Sequence, residues 1–216
     1  KWITWDDGGR KVMEEIYFQD MKDSVHTYYF ENGMVRMTET YFSDELDGEV
    51  LMYGEDGKLM VKLIYNEGEI TGYQYEKGGS LVEMIPIVSG DETIIAYYAS
   101  GKTSFEQHMK DFVPHGLQVK YYANGNVMQR KMYSNGLLNG RCERFYPDGK
   151  PESIYNCMND MYEGEYISYH STGEIKESDV FLHDEASGET KIYDKSGNLL
   201  RVENYWNGNF TGYKKD

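Results

Sequence analysis

Five histidines, 37 acidic side chains and two cysteines are the groups of this 216-residue chain best suited to react or to hold a metal. The histidines are His26, His108, His115, His170 and His183, and none belongs to an HExxH pair or stands two or four residues from another. His108 and His115 are closest, seven apart with Asp111 between, and read as part of a solvated turn. The stretch GEYISYHSTGEIKE holds Glu165, Glu174 and Glu177. A two-carboxylate hydrolase needs such acids, one of them kept protonated in a protected cleft. Acids recur at similar places, however, with Glu189 in GETKIYDKSG and Glu49 in GEVLMYGEDG, so repetition argues for a solvated face. The sequence has no GxSxG elbow and no GxxxxGK[ST] loop. Cys142 and Cys157 do not fit zinc spacing. The sequence therefore assigns no catalytic residue, no metal ligand and no cofactor.

The elements that would position any site follow from a ruler of glycines. Gly9, Gly33 and Gly57 stand 24 apart; Gly79 and Gly101 follow at steps of 22; Gly125, Gly149, Gly173 and Gly197 resume the step of 24. An aromatic precedes each by four: Trp5, Tyr29, Tyr53, Tyr75, Tyr97, Tyr121, Phe145, Tyr169 and Tyr193. Eight residues after the ruler lie Tyr17, Tyr41, Tyr65, Tyr133, Phe181 and Tyr205. A period of this size marks a repeat architecture. The ruler pairs Asn32-Gly33, Asp56-Gly57, Asn124-Gly125 and Asp148-Gly149 predict tight hairpin turns with positive φ at both centres. Flanks rich in Tyr, Val, Ile and Met suit strands. A longer second turn, as in YSNGLLNG, joins each hairpin to the next and often uses Asp where the middle glycine stands: Asp20, Asp44, Asp160, Asp184. Glycine at least twice per unit excludes helix, at about 1 kcal/mol each.

The expected fold is all-β: an elongated, twisted, mostly single-layer antiparallel meander of about nine tandem β-hairpins, forming one repeat domain over 1–216. Two short spacings and Pro86, which cannot donate to a ladder, predict a kink over 75–98. If Asp148-Gly149 closes a two-residue turn, residue 142 faces 155 and residue 157 faces 140, so the cysteines share a face diagonally and stay unbridged.

Formal net charge is −15. Phosphate backbones need Lys and Arg to displace counterions, so nucleic acid and anionic membrane are poor partners and a basic protein patch is the better one. No run of 18 apolar residues spans a membrane as a helix. The chain begins with lysine, which reads as a trimmed N-terminus, and both a bacterial cytoplasm and an exported location fit it.

The pattern G-x4-Y-[YF]-x-[ND]-G-x7-Y-x-N-G, clearest in GLQVKYYANGNVMQRKMYSNG and GRCERFYPDGK, resembles the MORN-repeat variant of many bacterial proteins, including a family of antitoxin partners in a secreted-toxin module. The resemblance covers nearly the whole chain. It implies stacked β-hairpins and binding in place of chemistry, with masking of a toxin as the antitoxin version. The first expectation is thus a non-enzymatic protein-binding scaffold, with end-to-end association through open sheet edges as a further property. An envelope or extracellular glycan-binding element and a hydrolase with a carboxylate site are the other readings. Structural positions are Gly33, Gly57, Gly125, Gly149, Gly173 and Gly197 with Tyr29, Tyr53, Tyr121, Tyr133, Tyr193 and Tyr205. Tyr98 and Tyr122, each beside a framework tyrosine and hence on the opposite face, and Phe112 and Trp206 in turns, are the expected protein-binding aromatics.

Overall fold

The computed structural model describes residues 1–213, and among these it contains strands and turns but no helix. The strands are β1 Trp2–Trp5, β2 Lys11–Glu15, β3 Tyr17–Phe18, β4 Met21–Lys22, β5 Ser24–Tyr29, β6 Val35–Phe42, β7 Glu45–Tyr53, β8 Leu59–Asn66, β9 Glu69–Gln74, β10 Glu76–Lys77, β11 Ser80–Leu81, β12 Ile85–Pro86, β13 Thr93–Tyr97, β14 Thr103–Lys110, β15 Val113–Tyr121, β16 Val127–Ser134, β17 Leu137–Phe145, β18 Pro151–Met158, β19 Met161–Tyr169, β20 Ile175–Leu182, β21 Glu185–Ala186, β22 Gly188–Tyr193, β23 Leu199–Trp206 and β24 Asn209–Tyr213. Neighbours in sequence pair antiparallel, giving a meander of hairpins. The chain divides into two compact units, Lys1–Val113 with Tyr122–Gly125, and Pro114–Tyr121 with the residues from Asn126 onward.

The two turn types carry opposite roles to those expected from the sequence. At the ruler, Gly149 N–H donates to Tyr146 O and Tyr146 N–H donates to Lys150 O, both at 2.8 Å, which closes a three-residue loop over 147–149. Only the glycine is left-handed: Gly33, Gly57, Gly125, Gly149, Gly173 and Gly197 have φ between 75° and 106°, and the residue before each, an Asn or Asp in the first four, does not. Those side chains instead cap the loop, as Asp148 Oδ1 accepts from Lys150 N and Asn32 Oδ1 from Met34 N. The second turn is the tight two-residue one, with positive φ at both centres: 51° and 84° at Asn135-Gly136, 51° and 69° at Asn159-Asp160. Both signs of φ match a type I′ turn, the loop whose twist suits a hairpin.

A bulge after each ruler loop restores the register a two-residue turn would give. Phe145 pairs with Pro151, and one step on Arg144 pairs with Ser153 and Cys142 with Tyr155. The expected placement of 142 against 155 and of 157 against 140 therefore holds. A wider bulge explains the glycine that opens each unit. Lys131 pairs with Cys142 but Tyr133 with Leu138, so Asn139, Gly140 and Arg141 oppose Met132. Gly140 has φ 121°, and a Cβ there would lie 3.2 Å from Met132. The residues at other unit openings adapt in kind: Ser24, where glycine is missing, has φ 60°.

Neighbouring repeats are tied at the two-residue turns. The second turn residue donates its N–H to a carbonyl 22 residues earlier: Asp44 to Lys22, Gly68 to Leu46, Phe112 to Gly90, Gly136 to Pro114, Asp160 to Leu138, Asp184 to Tyr162 and Gly208 to Ala186. Where that residue is Asp, its carboxylate also accepts the N–H of the same earlier residue, at 2.6 Å for Lys22, 2.7 Å for Leu138 and 2.6 Å for Tyr162. Gly136 faces Pro114, which has no N–H to offer, so a carboxylate there would gain nothing.

In the first unit an eight-stranded sheet runs β1-β2-β5-β6-β7-β8-β9-β12. Its last ladder is short: β12, with Pro86 opposite Gly72, supplies only two residues against β9. The hairpin β13–β14 then adds a second layer. Ile94, Ala96, Phe105 and Met109 from it form one core with Val50, Val61, Leu63, Ile70 and Ile87. Locally this hairpin covers the sheet, because its apolar surface needs cover, and the fold remains the expected meander of antiparallel hairpins. The cover also accounts for the apolar run at 59–65, where adjacent Met60 and Val61 are both buried. In the second unit β15 to β20, then β22, β23 and β24, follow in order, with β21 beside β20. Its core is thin: Cys142, Tyr155 and Cys157, flanked by Leu138 and Tyr166. The framework residues Tyr29, Tyr53, Tyr121, Tyr133, Tyr193 and Tyr205 are all half-buried, as sheet-packing side chains are.

Removing the cross-repeat carboxylate tests this frame. Asp160→Ala is expected to lower stability in urea by about 1–2 kcal/mol, through the lost bond and a left-handed alanine. Asp160→Gly, which keeps the turn, is expected to cost less than Asp160→Ala.

Candidate binding groove and apolar stripe

The register of the second unit brings one residue type after another onto a single face. Tyr166 pairs with Asp179, Ser168 with Glu177 and Gly164 with Phe181. Glu177 pairs with Ile192, and Thr190 pairs with Glu203 and Gly188 with Tyr205. Alternation along each strand then puts Tyr166, Ser168, Glu177, Asp179, Phe181, Thr190, Glu203 and Tyr205 on the same side. All of these but Ser168 line an open groove of about 470 Å³, together with Tyr162 and Ala186. Rings form its wall: Tyr162 lies 5.4 Å from Phe181 and Tyr166 6.0 Å from Phe181, centroid to centroid. Such pairs contribute about 0.5–1.5 kcal/mol each beyond area burial.

Charge in the groove is unbalanced. Glu203 accepts the Tyr205 hydroxyl at 2.9 Å and pairs with Arg201 at 2.7 Å. Burial, aggravated by Asp179, pushes the Glu177 carboxyl above its usual range. Burial likewise pushes up Asp179, against the Thr190 hydroxyl that it accepts, and Glu203 adds to the rise. Asp179 is only 8% exposed. Ser168, also 8% exposed, has its Oγ buried with no hydrogen-bond partner.

The opposite face carries a different feature. The residue just before the two-residue turn follows the framework Tyr, Phe or Cys and so points the other way. In the second unit these are Ser134, Met158, Leu182 and Trp206, of which the last three are exposed, Trp206 to 68%. In the first unit Phe18 and Phe42 hold the same place, Phe42 at 65%. Equivalent residues are two strands apart, a pitch of about 10 Å.

Of the four expected contact aromatics, Trp206 lies on this stripe. Tyr98 is corrected: it is 2% exposed. It opens a ruler loop, with its N–H donating to Lys102 O at 2.9 Å, and packs against the loop at Gly54. Equivalent residues act as struts between loops, Tyr146 donating to Tyr169 O at 2.7 Å and His170 Nε2 lying 3.0 Å from Tyr193 O. His170 thus takes over a tyrosine's role. Tyr122 opens the same kind of loop and is half-buried. Phe112, at φ 62°, packs its ring on the first unit's core. Among Glu165, Glu174 and Glu177, only Glu177 enters the groove; Glu165 pairs with Val180 on the other face. Glu49 pairs with Lys62, and Glu189 lies 3.6 Å from Lys191. The groove residues Asp179, Thr190, Ala186 and Glu203 were not singled out from the sequence. Aligning repeats by the ruler would have marked 186 and 190, where small residues stand in the places of Lys22 and His26.

The MORN repeat variant matches the chain at residues 46–67, 114–135, 138–156 and 186–207. Each matched segment lies on the hairpin frame described above, so the chain carries MORN-variant repeats at these four places. No curated protein matches it. Among solved structures, it is similar to the crystal structure of TcdB2-TccC3, at 12% identity and TM-score 0.22, over 99% of this chain and 15% of that one. It is also similar to the crystal structure of TcdB2-TccC3-Cdc42, at 11% identity and TM-score 0.21, over 95% of this chain and 15% of that one. The chain thus spans about 15% of the length of either, and likeness of this size transfers no property to it.

Two outcomes test the site's electrostatics. Because the folded pKa of Glu177 is raised above its ordinary 4.5, stability is greatest below that value and falls as pH climbs through the folded pKa. Glu177→Gln should therefore raise Tm by about 2–4 °C at pH 7 and leave it unchanged near pH 3, in thermal melts followed by circular dichroism. Burial, with the Cys142 thiol beside it, pushes the Cys157 thiol up. Native protein should then react with a thiol reagent at pH 8 at least about 100-fold more slowly than urea-unfolded protein, because the thiolate is the nucleophile.

Proposed function

We propose that the chain is a non-enzymatic protein-binding scaffold that masks a partner, as an immunity or antitoxin protein covers its target. The observation that carries this reading is the apolar stripe of Met158, Leu182 and Trp206. A row of exposed apolar side chains set at about 10 Å intervals, with Val180 and Leu200 exposed on the same strands, is what an interface core needs. The net charge of −15 favours a basic rim on the partner, which speeds encounter and makes it salt-dependent. MORN-variant repeats along the chain support the same reading. Masking then needs only area: a frame too stiff to yield lies over the partner's working surface.

The test is capture of protein from the source cell by the purified chain at two salt concentrations, with Leu182→Glu/Trp206→Glu run in parallel. A partner held by the native chain, released more readily at high salt and lost from the double variant, is expected. Equal retention by the double variant contradicts the stripe, and binding indifferent to salt contradicts the charge argument. Light scattering of the same samples reads end-to-end self-association.

A further inference from the structure

The two ends of the repeat array differ in one informative way. Numbering each repeat from its opening residue, Ser24 or Gly188, places Glu39 in register with Glu203, Tyr41 with Tyr205, His26 with Thr190 and Lys22 with Ala186. One repeat earlier, Glu15 corresponds to Asp179 and Tyr17 to Phe181. In the first unit the space between these side chains is filled. The His26 ring, fully buried, sits 5.6 Å from the Tyr17 ring and 4.9 Å from the Tyr41 ring, with Nδ1 3.8 Å from Glu15. Lys22 Nζ lies 4.8 Å above the Tyr41 ring. Glu39 accepts the hydroxyls of both Tyr28 and Tyr41 at 2.9 Å.

In the second unit the acids and rings remain, but the bases are replaced by small side chains. Thr190 stands for His26 and Ala186 for Lys22, and both line the groove. Glu177 adds a further carboxylate. Among the described residues it has no ion pair, and the unpartnered Ser168 Oγ is turned to the same face, in register with it. Arg201 pairs with Glu203, but the groove keeps π faces and the carboxylates of Glu177 and Asp179, to which the described residues bring no ion pair. The chain shows elsewhere how a cation is held: Lys11 Nζ lies 4.4 Å from the Tyr29 ring and the Arg130 guanidinium 5.2 Å from the Phe145 ring.

We propose that this groove is a receptor for one lysine or arginine side chain of a polypeptide partner, its cationic head between Glu177 and Asp179 and its stem against Tyr162, Phe181 and Tyr205. This rests on the protein-binding reading but uses the face opposite the stripe. The raised carboxyls of Glu177 and Asp179 agree with it, since an incoming cation would relieve their mutual repulsion. Commitment to a polypeptide follows from the groove's openness and from the chain's acidity, which admit a side chain projecting from a basic surface.

The test is an amide NMR titration of the full chain with hexalysine, hexaarginine, hexaglycine and butylammonium. Saturable shifts confined to residues around 166–168, 177–181, 186–190 and 203–205, with the two cationic peptides and not with hexaglycine, are expected. Ala186→Lys, which restores in cis the lysine that Lys22 provides to Tyr41, should weaken this binding at least about tenfold. The same variant should raise Tm, which shows that it folds. Glu177→Gln should weaken binding likewise, and Glu165→Gln, on the other face, should not. Shifts spread evenly over surface carboxylates, groove shifts that survive Ala186→Lys, or butylammonium binding as tightly as the peptides would each overturn the proposal. None of these results alters the capture that depends on Leu182 and Trp206, so the two readings fail separately.

Discussion

The hydrogen bond from each two-residue turn to the repeat before it sets the rest of the structure. A hairpin of this size cannot bury its own tyrosines, and an isolated hairpin is marginal in water. Pairing strand to strand gives the sheet, but alone it leaves register open to slip by one residue, which would turn every framework side chain to the wrong face. The bond from Asp160 N to Leu138 O, and its equivalents at a constant offset of 22, pins that register once per repeat. The left-handed residues at the turns follow from the same constraint, since only those conformations aim the N–H at the neighbouring repeat.

With register pinned, the two faces become separate fields for variation. One collects tyrosine, acid and small residues at corresponding positions, and substitution of His26 and Lys22 by Thr190 and Ala186 opens a groove without disturbing the ladder. The other collects whatever stands before the turn, and there Met158, Leu182 and Trp206 accumulate exposed apolar surface. Function in such a scaffold resides in departures from the repeat, because the repeat itself is spent on holding the sheet together.

Much of the frame was legible from spacing. Ruler glycines such as Gly125 and Gly149 marked loops, and the even spacing of framework tyrosines marked one face. Asn-Gly at the ruler misled, because the asparagine or aspartate there serves as a cap and leaves only glycine left-handed. Tyr98 misled for a related reason: alternation along a strand stops where a loop begins, so adjacency to Tyr97 did not place it on a surface. The cross-repeat bonds were hidden, since Asp160 and Leu138 look unrelated until the turn geometry is known. The groove was hidden as well. Its acids resemble every other acid in the chain until register shows which of them face a ring and which face solvent.

The most direct measurement is residue-resolved hydrogen exchange of the turn amides. The turns lie at the surface, where backbone N–H groups without an internal acceptor exchange at rates near those of an unfolded chain. The account predicts that Asp44, Asp160 and Asp184, whose N–H groups reach the preceding repeat, exchange as slowly as the strands, while Asn159 beside them exchanges fast. Equal and rapid exchange at Asp160 and Asn159 would contradict it, and would mean that the repeats are held by strand pairing alone.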